Sequence, residues 1–190
     1  MSCARSRSTG WGLQRGAGTP VTDVFNDIHM GETVEQIASR FQITRAAQDE
    51  FAAASQAKAT EAVAEGRFAR EISSVAIEGR KGERVVYVDE HIRPEATKEK
   101  LAAMKPVFKP DGTITAGNAS GLNDGAAAVL VGSAARLAEL GLEPLARVAA
   151  YASAARNPLD MGLGPVPASR AALEQAGWVA EDVDIFEINL

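Results

Sequence analysis

The feature that most constrains this chain is a run of evenly spaced glycines that leads directly into an apolar segment. Gly117, Gly121 and Gly125 recur every four residues among Ala, Ser, Asn and Asp, and AAAVLV follows at residues 126–131. Glycine lacks a Cβ and tolerates positive φ, so this spacing suits backbone that turns sharply and lets a ligand or another segment come close. An apolar run of small and branched residues is typical of a strand covered on both faces. The stretch predicts a glycine-rich turn before a buried strand of a layered α/β sheet.

Composition and charge exclude several classes of protein. The 190 residues are 46% hydrophobic and 24% charged, as expected of a globular chain. The net charge of −5 argues against a nucleic-acid binder, whose affinity rests on a basic surface. No apolar run reaches the roughly eighteen residues that a membrane span needs, so we expect no membrane partner.

The cysteine and histidine content narrows the chemistry further. Cys3 is the single cysteine, so no internal disulfide framework can form, and we expect a reducing, cytoplasmic location. His29 and His91 are far apart in the sequence and have no cluster of Cys or carboxylate residues around them. The sequence therefore predicts no metal site.

Residues 1–22 allow two interpretations. They contain Arg5, Arg7 and Arg15, several Ser and Thr, and no acidic residue, which is the composition of a mitochondrial transit peptide. Four glycines in the same stretch would weaken the helix that such a peptide forms. We favour the other interpretation, in which these residues are the interior of a longer protein.

Residues 33–66 predict a pair of helices. Thr33 has Gln36 three positions on, which is the spacing of a capping box, and an apolar stripe continues to residue 41. Thr44 can cap a second, longer helix that ends at Gly66. In that second helix we expect Ala47, Phe51, Ala54 and Ala62 to face inward, and Lys58, Glu61 and Glu65 to face water.

The rest of the chain alternates between strands and helices. Residues 75–88 predict a β-hairpin, and a proline-punctuated loop covers 91–112. Ser133 should cap a helix over 134–140 closed by Gly141, and Pro167 should lie in the first turn of a helix that ends at Gly177. Strands are predicted at 126–131, 146–152 and 183–188. The order from residue 113 predicts a right-handed layered α/β arrangement, with residues 25–112 as an insertion.

Three motifs in this order resemble segments of the thiolases, coenzyme A-dependent enzymes that make or break a carbon–carbon bond between acyl groups. The first is DVFNDIHMGETVEQIA (23–38), with SQAKATEAVAEGRFAREI (55–72) behind it. The second is TAGNASGLNDGAAAVL (115–130). The third is NPLDMGLGPVPASRAALEQAGW (157–178), followed by DVDIFEIN (182–189). The resemblance covers most of the chain from Asp23 onward, and the second and third motifs are specific patterns.

The resemblance implies a partial thiolase-like layered α/β/α/β/α fold with an inserted α+β loop domain. Its divisions would be an irregular remnant at 1–22, a coenzyme A-binding loop domain at 23–112, the end of the N-terminal domain at 113–141 and the start of the C-terminal domain at 142–190. In this family a cysteine early in the first half attacks the acyl thioester, and a late histidine and a second late cysteine assist it. We expect this chain to be an internal piece that lies between them. Cys3 has too little chain before it to build a reactive environment and is interpreted as an incidental thiol.

The resemblance also implies residues at the two ends of a bound coenzyme A. His29 and Met30 match the pair that lines the pantetheine and acyl end. Arg93 matches an arginine at the nucleotide end, where a permanently charged guanidinium suits phosphate or adenine. Phe108 aligns with an aromatic residue that closes over the ligand. Each also fits a plain structural role: a core or hinge position for His29 and Met30, a solvated loop cation for Arg93, and core for Phe108.

Small residues complete the implied ligand site. Ala116 and Ser120 match pantetheine-contacting positions, and a serine beside glycines can hydrogen-bond the amides of an extended ligand. Met161 aligns with a methionine of the pocket wall. Asn189 is the catalytic candidate, since it aligns with the asparagine that holds a water near the thioester oxyanion. Leu190 follows it where the family has Glu, a departure that leaves the role of Asn189 open.

Three functions follow from these observations. The first is a thiolase-type acyltransferase of the acetyl-CoA C-acetyltransferase or 3-ketoacyl-CoA type. Its substrates would be coenzyme A and acetyl-CoA, with no permanently bound cofactor; the full-length protein would be a homodimer or homotetramer, and this chain alone would be inactive. The second is a non-catalytic coenzyme A-binding or partner-binding module derived from a thiolase. The third is a purely structural helix-and-hairpin domain, which gives no reason for the glycine stretch.

Overall fold

The first helix is capped by a histidine and begins before the predicted threonine. In the computed structural model, which describes residues 22–80, 82–121 and 128–188, α1 spans Met30–Arg40. His29 caps it, because its Nδ1 accepts a hydrogen bond from the Gly31 amide at 3.0 Å. The predicted start at Thr33 is wrong because the imidazole already fills this role. The buried Thr33 hydroxyl instead donates to the Met30 carbonyl at 2.7 Å.

The second helix, α2 (Arg45–Ala64), confirms both of its predicted ends. Thr44 is the N-cap and accepts a hydrogen bond from the Ala47 amide at 3.2 Å. Gly66 follows the helix with φ of 69°, a left-handed conformation that ends helices and that side chains disfavour. The two helices therefore form the predicted pair.

The predicted inner face of α2 is only partly right. Ala62 is buried, and Lys58, Glu61 and Glu65 are exposed as predicted. Ala47 and Ala54 are exposed, however, and so is 68% of Phe51. A carboxylate, Asp49, is buried instead, and its hydrogen-bonding partners make that burial tolerable. The periodic apolar pattern did not reveal this polar contact.

Two small antiparallel sheets are formed by the described residues. β1 (Thr22–Asp23) pairs with β2 (Ile28–His29) and leads into α1. The predicted hairpin is confirmed as β3 (Val75–Gly79) and β4 (Gly82–Val86), in a register that pairs the first residue of β3 with the last of β4. The hairpin is almost entirely exposed, so it contributes little to the core.

The predicted loop over 91–112 contains a short helix, α3 (Lys98–Ala102), which packs against α2. Thr97 caps it by accepting a hydrogen bond from the Lys100 amide at 3.4 Å. Its Leu101 is 3% exposed and is part of a small apolar core at the helix pair. The other apolar residues buried in the described part of the chain are Ile37, Ala38, Ala62 and Ile114.

The later helices are confirmed. Ser133 caps α4 (Ala134–Glu139), and Gly141 follows it with φ of 63°. α5 (Pro165–Ala176) ends at Gly177, with φ of 71°. Short 3₁₀ helices lie at Pro158–Leu163 and Ala180–Asp182. Among the helices that the structure describes, none is long and apolar enough to cross a bilayer.

The three later strands are not formed, so these predictions are wrong for the described residues. Residues 128–131, 146–152 and 183–188 have no strand hydrogen bonding, and residues 126–127 lie outside the described part. A strand exists only with a neighbour to accept its backbone hydrogen bonds. Leu130 is 89% exposed and Ile185 is 82% exposed, so the described chain leaves much of these apolar segments uncovered. The apolar pattern identified the segments, but it could not indicate whether neighbouring strands are present to pair with them.

Candidate functional site

His29 and Phe108 form the one pair of predicted site residues whose side chains the structure places in direct ring contact. Their ring centroids are 4.7 Å apart at an interplanar angle of 26°, a stacked arrangement. Because His29 Nδ1 accepts the Gly31 amide hydrogen bond, the proton of the neutral imidazole is on Nε2. The imidazole is thereby fixed at the start of α1, with one nitrogen left to donate to a ligand.

Gly31 makes this stack possible. A Cβ at Gly31 would collide with the Phe108 ring at three of its atoms. The segment before Phe108 is fixed in turn, since the Val107 amide donates to the Ile114 carbonyl at 2.9 Å. Met30, next to His29, is half-buried in the first turn of α1. The helix start, the aromatic ring and the segment around Ile114 therefore form one unit.

Arg93 is held by a different set of partners. Its amide donates to Gln56 Oε1 on α2 at 2.7 Å, and its Nη1 donates to the Glu90 carbonyl at 2.5 Å. The residue is exposed, and a guanidinium has five N–H donors, so others are available to an anionic ligand. Arg93 is thus anchored to α2 as a preformed loop cation.

Ala116 and Ser120 are both exposed on the turn that opens the glycine-rich segment. The amides of Asn118 and Ala119 donate to the Thr115 carbonyl at 3.3 and 3.1 Å, which closes the turn around Ala116. Gly117 lies against α3, where a Cβ would collide with the side chains of Leu101 and Met104. The close approach that the glycine spacing predicted is confirmed here.

A buried carboxylate that the sequence did not reveal holds the start of this turn. Glu35, 6% exposed on α1, accepts hydrogen bonds from the Thr113 amide, the Thr113 hydroxyl and the Ile114 amide at 2.9 to 3.0 Å. Gly112 is required beside it, since a Cβ there would overlap Glu35 Oε1. The predicted capping box gave roles to Thr33 and Gln36 and none to Glu35, so it did not indicate that Glu35 binds this turn.

A second buried carboxylate, Asp49 on α2, holds the other end of the turn. It accepts from Arg45 Nε at 2.7 Å and from Asn118 Nδ2 at 2.9 Å. Asn118 also accepts from the Thr115 amide at 2.7 Å, so it ties the turn internally as well. Arg45 donates to the carbonyls of Leu101 and Met104. The i, i+4 spacing of Arg45 and Asp49 within a run of alanines was the available signal for this cluster.

Met161 lies on a separate element that packs against α1. It is 40% exposed in the 3₁₀ helix Pro158–Leu163, whose Asp160 forms an ion pair with Arg40 at 2.8 Å. A Cβ at Gly162 would approach the Ile37 side chain to 3.2 Å. The 3₁₀ helix that carries Met161 therefore packs against the C-terminal half of α1, whereas His29 and Met30 are at its N-terminal end.

Two sequence candidates lie outside the described residues, namely Asn189 and Cys3. Within the part of the chain that the structure describes, no group of three potential ligands is placed to hold a metal ion. A shallow groove of about 310 Å³ borders the turn, lined by Ile43, Ala47, Gln48, Phe51 and Asn118. The groove thus lies between α2 and the turn that carries Ala116.

Two family models match the chain. One is described as "Thiolase, N-terminal domain" and matches residues 13–135. The other is described as "Thiolase, C-terminal domain" and matches residues 142–190.

Two curated proteins of similar sequence have the same name. Acetyl-CoA acetyltransferase of Paracoccus denitrificans is 56% identical over 167 residues, which are 88% of this chain and 43% of that protein. The protein of the same name from Pseudomonas aeruginosa is 54% identical, with the same two coverages. The chain thus spans somewhat less than half the length of the curated relatives that it matches.

Solved structures agree in backbone path. The crystal structure of the Bacillus anthracis acetyl-CoA acetyltransferase matches with a TM-score of 0.83 and 42% identity, over 92% of this chain and 46% of that one. Human mitochondrial 3-ketoacyl-CoA thiolase matches with a TM-score of 0.81 and 36% identity, over 96% and 48%. The extended segments that lack strand pairing therefore belong to a chain whose overall path is a partial layered α/β fold.

Proposed function

Since this chain belongs to the thiolase family, we propose that the full-length protein is an acetyl-CoA C-acetyltransferase and that this chain supplies part of its coenzyme A site. The observation that carries the proposal is the match to the Bacillus anthracis acetyl-CoA acetyltransferase over 92% of this chain. The stacked His29 and Phe108 beside the glycine-rich turn support it, because they offer a ring surface, an N–H donor and small residues to one extended ligand.

The reaction we propose joins two acetyl groups or separates them. In condensation, a cysteine thiolate takes the acetyl group of one acetyl-CoA and releases coenzyme A. The α-carbon of a second acetyl-CoA loses a proton and attacks the acetylated cysteine, giving acetoacetyl-CoA and the free thiol. In the reverse direction, coenzyme A cleaves a 3-ketoacyl-CoA. No permanently bound cofactor takes part in this scheme.

The residues of this chain have binding and orienting roles in the proposal. His29, Met30 and Phe108 would contact the pantetheine and acyl end, with Ala116, Ser120 and Met161 around it. Arg93 would contact the nucleotide end, where its charge suits phosphate. Asn189 would hold a water near the thioester oxyanion. We do not assign the nucleophile to Cys3, so we expect the 190-residue chain alone to be inactive.

The proposal extends to assembly and location. We expect the full-length protein to form a homodimer or homotetramer, as the family does. A cytoplasmic location is supported by the single cysteine, which suits a reducing compartment.

The alternative, a non-catalytic module, fits the structure less well. Such a module would have to cover its own apolar surface, yet Val129, Leu130 and Val131 are each at least 78% exposed. Exposed apolar segments of this kind favour association with other chains.

The test compares the full-length protein with the 190-residue chain in an assay of acetoacetyl-CoA thiolysis. We expect the full-length protein to convert acetoacetyl-CoA and coenzyme A into two acetyl-CoA, and the short chain to show only background. Turnover by the short chain would contradict the expected inactivity. Absence of both turnover and coenzyme A binding in the full-length protein would overturn the proposed function.

A further inference from the structure

Two buried carboxylates on two different helices accept hydrogen bonds from the same short turn. Glu35 on α1 is 6% exposed and Asp49 on α2 is 3% exposed. A carboxylate is buried at a large cost unless it is paired or hydrogen-bonded. Both bind the segment that opens the glycine-rich stretch: Glu35 receives the amides of Thr113 and Ile114, and Asp49 receives the side-chain amide of Asn118. We call Glu35, Asp49 and Asn118 the carboxylate clamp.

The clamp leaves the turn little freedom. The side-chain amide of Asn118 is bonded through both of its atoms: Oδ1 accepts from the Thr115 amide, and Nδ2 donates to Asp49 and to the Thr113 carbonyl at 3.0 Å. The Gly117 amide is also bound, to Thr115 Oγ1 at 3.2 Å. Because these bonds hold the backbone at Thr113, Thr115 and Gly117, and Asp49 holds the Asn118 side chain, the clamp sets the direction in which the turn presents Ala116.

The residues that the clamp positions are the exposed ones. Ala116 and Ser120 have no buried environment to orient them, whereas Thr115, next to Ala116, is completely buried. A ligand that meets a preordered segment does not have to order it on binding, so its affinity is higher. Hydrogen bonds to charged groups are also stronger than neutral ones, which suits carboxylates to this task.

We infer that Glu35, Asp49 and Asn118 are positioning residues that hold the 113–118 turn in the orientation that receives the amide-bearing pantetheine chain of coenzyme A. The inference rests on the proposed function, since it names how the same site is preorganised. None of the three residues needs to touch the ligand.

The test uses Glu35→Gln and Asn118→Ala in the full-length protein, with Glu61→Gln on the exposed side of α2 as the matched control. Isothermal titration gives the Kd for coenzyme A, and hydrogen–deuterium exchange follows the amides of residues 113–118. We expect Kd to rise about tenfold in each variant, with faster exchange confined to that turn. The control should match the wild type in both measurements.

Each outcome has a defined meaning. Faster exchange with an unchanged Kd would show that the clamp is structural only and would overturn the inference. If the wild type fails to bind coenzyme A, the proposed function fails and the inference falls with it. If the wild type and both variants bind coenzyme A equally well, the inference is wrong and the proposed function is unaffected. If circular dichroism shows that Glu35→Gln does not fold, the Kd and exchange rates of Asn118→Ala, which changes no charge, test the inference alone.

Discussion

The ring of Phe108 lies on the imidazole of His29, with centroids 4.7 Å apart, while the same imidazole caps α1 through Nδ1. One side chain therefore links a helix start to a distant aromatic residue. The arrangement depends on Gly31, whose missing Cβ is where the Phe108 ring passes.

Replacing Phe108 by alanine should weaken both folding and binding. The half-buried ring loses its stack and its packing, which we expect to lower the free energy of unfolding by roughly 1–3 kcal/mol. Urea denaturation measures that loss, and titration with coenzyme A should show a several-fold higher Kd. Phe108→Tyr, which keeps the ring, is the control; equal losses in both variants would argue against the stack.

Gly31→Ala should destabilise the protein although alanine is the better helix former. The added Cβ collides with the Phe108 ring, and this outweighs the gain of about 1 kcal/mol in helix propensity. In the double variant with Phe108→Ala the collision is gone. The two substitutions should therefore be non-additive by about 1 kcal/mol or more in a double-mutant cycle, and strict additivity would contradict the contact.

Asp49→Ala should be among the more damaging single substitutions on α2. It removes a buried partner of Arg45 and Asn118, and loss of one member of a buried charged pair costs about 3 kcal/mol. The adjacent Glu50→Ala is the control, because Glu50 and Lys98 are both mostly exposed. Thermal unfolding of the two variants should separate them clearly, and similar midpoints would contradict the clamp geometry.

The Glu50–Lys98 pair should be visible in a pH titration. Lys98 Nζ lies 2.5 Å from Glu50 Oε1, and this hydrogen bond and charge hold the pKa of the Glu50 carboxyl below its ordinary value of 4.5. A lowered pKa means that the contribution to stability is present above 4.5 and is lost as pH falls through the folded-state value. The carboxyl shift followed by NMR should titrate at higher pH in Lys98→Met, and the difference should shrink at high salt.

Local signals predicted the helices of this chain well. Thr44 and Ser133 are N-caps, and Gly66, Gly141 and Gly177 take positive φ after helices, as their positions in the sequence indicated. Each of these features is determined by a few residues close in the sequence, so the local sequence is enough to predict it. The β3–β4 hairpin belongs to the same class, since a short turn sets its register.

Features that depend on distant partners were less predictable. The stacking of His29 on Phe108 and the burial of Glu35 arise from contacts with residues about eighty positions away, and nothing local marks them. The strands predicted at 128–131 and 183–188 require neighbours that an apolar pattern cannot specify. Of the predicted site residues, His29 and Phe108 are in contact, while the coenzyme A roles of the whole set stay predictions.

The hydrogen bond between Glu35 and Thr113 joins two positions that are 78 residues apart, so the segment between them is a loop whose ends are held together by this bond. The entropy of closing such a loop grows only with the logarithm of its length, so ten extra residues would add about 0.1 kcal/mol to that cost. The exposed β3–β4 hairpin is the natural place for such a length change. The segment between Glu35 and Thr113 can thus change in length and surface chemistry, while the Glu35–Thr113 hydrogen bond keeps the glycine-rich turn in its place.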